Sequence, residues 1–140
     1  MRKRIVLISC ASRKLPYRAK AMDIYTSTLF RLSLKYAMKL APDAIFILSA
    51  KHRLLSLEQE IEPYEQTLNN MHSSEIKIWA HHVIEQLREV CSIDESEFTF
   101  LAGNKYREYL LCHIKKDNVV IPLEGLRIGE QLQKLKGLTS

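Results

Sequence analysis

The sequence predicts an α/β fold of three layers, α/β/α, with a four-stranded parallel sheet between helices. Three observations predict it. Short apolar runs alternate with segments of helical periodicity, in the order β-α-β-α-β-α-β-α. Helical crossovers between buried strands require parallel pairing, and right-handed connections then place helices on both faces. Finally, 140 residues with 46% apolar side chains suffice for such a core, so residues 1–140 are expected to form a single α/β domain.

Each element has its own justification. Ile5-Val6-Leu7-Ile8 is a continuous apolar run with β-branched residues, the mark of a strand buried on both faces. A polar loop follows from Ser9 to Tyr25. Leu29, Phe30, Leu32, Leu34, Ala37, Met38 and Leu40 then recur at helical spacing and stop before Pro42, while Thr26 or Ser27 offers a capping oxygen. Residues 44–48 are a second buried strand, and Ser49 to Leu68 is a second long polar loop. Ser73-Ser74-Glu75 opens a helix that turns Ile76, Trp79, Ala80, Val83, Ile84 and Leu87 inward. A third strand, 98–102, ends at Gly103 and leads into a short helix at 105–113. A fourth strand, 119–121, is stopped by Pro122. The closing helix covers 127–135, with Gly137 as its stop signal.

Composition removes several classes of protein. No apolar run approaches the roughly 18 residues of a membrane span. The apolar stretch after the basic start is also shorter than the roughly 7–15 residues of a signal peptide core, so a cytoplasmic protein is expected. Cys10, Cys91 and Cys112 are odd in number and lack a C-x-x-C spacing, which argues against a disulfide framework and a zinc site. His81 and His82 are adjacent and cannot share a helical face, and the other histidines are scattered. Neither a metal nor a cofactor is expected. A net charge of +5 points to an anionic partner such as nucleic acid, nucleotide or phosphate.

Open sheets of this kind bind ligands outside the carboxyl ends of their strands. The two loops there, of roughly 17 and 20 residues, exceed the usual length of about 2–6. The first carries Ser9, Cys10, Arg13 and Lys14 and later Tyr25, hydroxyls and cations able to grip a phosphate. Cys10 is either a nucleophile or a small residue packed beneath the loop. The second loop carries Ser49, Lys51 and His52, then Glu62-Pro63-Tyr64, which combines a carboxylate, a fixed backbone angle and an aromatic ring. Glu62 either does chemistry or pairs with Arg13 or Lys51 to pin the loops together. The third strand delivers Gly103, Tyr106 and Arg107, and the fourth delivers Glu124. The G-x-S-x-G elbow and the Rossmann G-x-G-x-x-G are both absent.

Taken together the motifs resemble a family of small, largely uncharacterised bacterial and phage domains. The residues that carry the resemblance are Ile8-Ser9-Cys10-Ala11, Lys14, Ala19, Tyr25 and Ser27, then residues 48–55 and 61–68, Gly103 with Tyr106-Arg107, and residues 122–129. More distantly, the pattern is similar to the peroxide-stress YaaA proteins and to the uracil-DNA-glycosylase-like fold. That resemblance implies a four-stranded parallel sheet between helices and a connection to nucleic acid or nucleobases.

The expectation is therefore a nucleic-acid- or nucleotide-linked enzyme acting at a nucleobase or its N-glycosidic bond, a hydrolase of the N-glycosidase kind. Tyr25 or Tyr64 would stack the base, and Arg13, Lys14, Lys51 and Arg107 would hold phosphate. Glu62 or Glu124 would steady oxocarbenium charge or activate water. The competing expectation is a non-catalytic nucleic-acid- or nucleotide-binding module in stress or phage biology, with the same cations and no positioned carboxylate.

Overall fold

The structure is a computed structural model and describes residues 2–140. Strand β1 (Arg4–Ser9) lies at the centre of a five-stranded sheet. On one side it pairs in parallel with β3 (Ala44–Ser49), setting Ile5 against Ala44 and Ser9 against Leu48. On the other it pairs in parallel with β6 (Glu97–Leu101), Arg4 against Glu97 and Ile8 against Leu101. Beyond β6 lies β7 (Val119–Val120), also parallel, and beyond β3 lies β4 (Arg53–Ser56), which is antiparallel. The order across the sheet is β4-β3-β1-β6-β7.

The period of two in a strand sends successive side chains to opposite faces, and β1 uses both. Ile5 and Leu7 join Phe98, Phe100 and Leu48 in a core closed by α3 (Ser73–Val90) and α4 (Asn104–Leu111). Val6 and Ile8 join Ile47 and Leu101 in a second core, closed by α2 (Thr28–Lys39), α5 (Ile128–Thr139) and the short α1 (Ala21–Ile24). The protein is thus an α/β sandwich of three layers. Among the described residues it has five α-helices and no helix long and apolar enough to cross a membrane.

The sheet has five strands, and the expectation of four is corrected. The extra strand lies inside the predicted loop 49–68, where the chain turns back on β3 through Ala50, Lys51 and His52. Arg53 takes φ +63° there, and the Ser49 hydroxyl accepts the His52 amide at 3.0 Å. A left-handed arginine in place of the usual glycine or asparagine hides this hairpin from a sequence reading. The two long loops also pair with each other. β2 (Ala19–Lys20) and β5 (Glu60–Ile61) form a small antiparallel ribbon. The closing helix runs through Gly137, because Leu135 and Thr139 are buried on either side of it and the Thr139 hydroxyl donates to the Leu135 carbonyl at 2.7 Å. Gly125, by contrast, sits at φ +78° in the turn before α5, a conformation that favours glycine.

Candidate functional site

The chain leaves the carboxyl end of β1 toward α2 on one face of the sheet and leaves β6 toward α4 on the other. Loops that part in this way open a crevice between the two strand ends. Cys10 stands at that point. Its amide donates to the Leu48 carbonyl at 3.0 Å, and its thiol donates to the Tyr106 hydroxyl at 3.3 Å. Two cavities meet at Cys10 and Ala11. The inner one, about 90 Å³, is lined by Ser9, Ser27, Gly103, Arg107 and Gln131 among others. The outer one, about 380 Å³, is lined by Ser12, Lys14, Glu65, Gln66, Thr67, Asn69 and Tyr106 besides the two shared residues.

A buried hydroxyl network supports the outer cleft. The Tyr25 and Tyr64 hydroxyls lie 2.6 Å apart, and the Tyr64 hydroxyl lies 2.7 Å from that of Ser49. Ser49 is fixed in turn by its backbone, whose carbonyl accepts the Trp79 indole N–H at 2.9 Å. Burial raises all three of the Tyr25, Tyr64 and Tyr106 hydroxyls above the ordinary tyrosine range, so they stay protonated at neutral pH. The Lys14 ammonium sits 4.3 Å from the centre of the Tyr64 ring and 5.7 Å from that of Tyr25, within cation–π reach. Burial lowers the Lys14 amine below the ordinary lysine range, and the nearby Glu65 carboxylate opposes that shift. His52 packs edge-on to Tyr64 at 5.3 Å, and its Nε2 is buried without a hydrogen-bond partner. Burial and the neighbouring Lys51 both lower its pKa, so it is neutral near pH 7.

The predicted residues therefore divide. Ser9, Cys10, Gly103 and Arg107 line the inner cavity, while Cys10, Lys14 and Tyr106 line the outer one. Tyr25, Ser49, Tyr64 and His52 form the packing behind them. The Tyr25 ring is 0% exposed and offers no free face to a stacked base, and Tyr64 has Lys14 over its ring. Lys51 lines a different cleft, on the far flank of the β3–β4 hairpin with Arg53 and His82. Arg13 is exposed and gives its carbonyl to Thr26. Glu62 does not meet Arg13, Lys51 or Arg107. It is exposed and pairs with Arg18 at 3.6 Å. Glu124 lies in a groove beside β7 with Leu111 and Lys116.

Sequence reasoning passed over Glu65, Gln66, Thr67 and Asn69. A signal was available. Tyr64 and Leu68 are buried anchors four residues apart, and the polar Glu65, Gln66 and Thr67 between them, with Asn69 just beyond, border the cleft. Among the described residues no cluster of histidine, cysteine and carboxylate side chains could hold a metal ion.

Fold and cleft together define an open-sheet α/β protein with paired polar cavities at the carboxyl end of its central strand. The chain belongs to a family of unknown function, DUF6884, which it matches over residues 5–137. This agrees with the resemblance to an uncharacterised family. No curated protein and no solved structure matches the chain.

Proposed function

We propose that the chain is a nucleotide-linked enzyme that hydrolyses an N-glycosidic bond, with Glu65 in place of Glu62 or Glu124 as its carboxylate. One observation carries this reading. Glu65 is the sole carboxylate among the residues lining the outer cleft, and it shares that cleft with Lys14, two amide side chains and the Tyr106 hydroxyl. At about 380 Å³ the cleft falls within the range of small-ligand sites. The Gln66 and Asn69 amides each present a donor and an acceptor, the pattern needed to read a base edge. The resemblance to YaaA proteins and to the uracil-DNA-glycosylase-like fold supports the same reading.

In the reaction the C1′–N bond breaks, and its electron pair leaves with the base, which takes up a proton from solvent. Positive charge develops on the sugar as an oxocarbenium ion. A carboxylate beside that charge stabilises the transition state more than the neutral sugar, which is the condition for catalysis. Water then adds hydroxide to C1′, and its remaining proton passes to Glu65, which returns it to solvent and becomes a carboxylate again.

The test is release of free base from nucleosides, 5′-mononucleotides, and single- and double-stranded oligonucleotides, followed by chromatography. Glu65→Gln is expected to keep the melting temperature and lower base release by at least about 10²-fold. Undiminished release in Glu65→Gln overturns the assignment of the carboxylate. Binding without release from any of these compounds overturns the hydrolase and leaves the nucleotide-binding module.

A further inference from the structure

Resting on that reading, we infer that the substrate is a free nucleoside 5′-monophosphate, its phosphoryl group held by Arg107 in the inner cavity and its base and sugar in the outer cleft. The two cavities are neighbours of unequal size that share Cys10 and Ala11 in their linings. One water-sized group needs roughly 10–15 Å³, so about 90 Å³ accommodates a phosphoryl group. The larger cleft has room for the base and sugar.

The chemistry of the inner wall suits an anion. Arg107 is half-buried there, and one of its guanidinium nitrogens donates to the Ala102 carbonyl at 2.6 Å. That bond fixes the side chain and leaves other N–H donors of the fork for phosphate oxygens. Ser9 and Gln131 add neutral donors, and no carboxylate lines this cavity to repel an anion.

The lining of this cavity favours a terminal phosphate over a phosphodiester. Arg107 is the sole cation among the described residues that line it, and the buried Phe30, Phe100 and Leu123 offer no partner to the charged backbone of a next residue. Arg13 and Lys51, which would follow a longer backbone, are outside both cavities.

The experiment is calorimetric titration of the full chain with ribo- and deoxyribonucleoside 5′-monophosphates, the matching nucleosides, and dinucleoside phosphates carrying the same bases. For at least one base, the 5′-monophosphate is expected to bind about tenfold or more tightly than both its nucleoside and its dinucleoside phosphate. Arg107→Gln is expected to weaken that monophosphate by about 10- to 100-fold, the loss for a charged hydrogen bond, while nucleoside binding holds. Thermal melts and Arg107→Lys, which keeps the charge, control for misfolding. Equal binding of nucleoside and monophosphate, equally tight binding of the dinucleoside phosphate, or no binding by any of the three overturns the inference. These readouts concern binding alone. Failure of the hydrolase reading appears separately, as a bound monophosphate that releases no base.

Discussion

The same two loops meet twice, and the meetings are unlike. At the β2–β5 ribbon they join through charges. Arg18 lies 3.3 Å from Glu60 and 3.6 Å from Glu62, and Lys20 lies 2.9 Å from Glu58, with every partner about half exposed or more. Beneath the outer cleft they join through buried neutral hydroxyls, where Tyr25 of the first loop meets Tyr64 of the second at 2.6 Å. Exposed pairs gain little, because water screens them and two long side chains must be held still. Buried hydroxyls are expensive to leave without partners, so they fix geometry. Most charged residues of the loops hold the periphery, Lys14 and Glu65 reach the cleft, and uncharged residues form the support beneath it.

The comparison is broken or sharpened most strongly at Tyr64. Tyr64→Phe removes the buried bonds from Tyr64 to the Tyr25 and Ser49 hydroxyls and is expected to cost about 1–3 kcal/mol of stability in chemical denaturation. Adding Tyr25→Phe should cost less than the sum of the two single changes, because both remove one network. Full additivity would show that the hydroxyls act independently.

Alkaline pH probes the same groups more gently. Burial raises Tyr25, Tyr64 and Tyr106 above their ordinary 10.0, so the folded state holds protons that the unfolded state loses first. Their contribution is fully present below about pH 10 and is lost as pH rises beyond it. Denaturation midpoints measured from about pH 8 to pH 11 should fall most steeply above pH 10, after a smaller decline above pH 9 from the half-buried Cys91 thiol, whose pKa burial also raises. A midpoint insensitive to this range would place the three hydroxyls in water.

The smallest effect is expected at the ribbon. Arg18→Ala and Glu62→Gln should each change stability by less than about 0.5 kcal/mol and leave base release unchanged. A large loss of activity in Glu62→Gln would return the chemistry to that residue.

The central strands were legible because residues buried on both faces leave an unbroken apolar run, as Ile5-Val6-Leu7-Ile8 does. The polar rim was legible for a related reason. Parallel strands point one way, so Ser9, Ser49 and Gly103 must leave the sheet along a single edge. β4 was not legible, because its turn is made by the Ser49 hydroxyl and a left-handed Arg53 with no glycine to announce them. Nor was the choice of carboxylate. Pro63 draws attention to Glu62, yet Glu62 is turned outward to Arg18, and its neighbour three residues on lines the cleft. Which of several nearby exposed acids borders the cleft depends on how Tyr64 is anchored to Tyr25 and Ser49, contacts between residues far apart in sequence.

The position of β1 also sets when the site comes into being. Its partners are made at very different times, β3 about forty residues later and β6 more than ninety. A growing chain can assemble β1, β3 and β4 while the other edge of β1 stays open, and long-range parallel pairings of this kind close slowly. The Cys10–Tyr106 bond spans 96 residues, and Arg107 follows directly after. Both cavities therefore take shape at the last stage of assembly, and a chain released from the ribosome before that stage has a hydrophobic strand edge where the finished protein has β6.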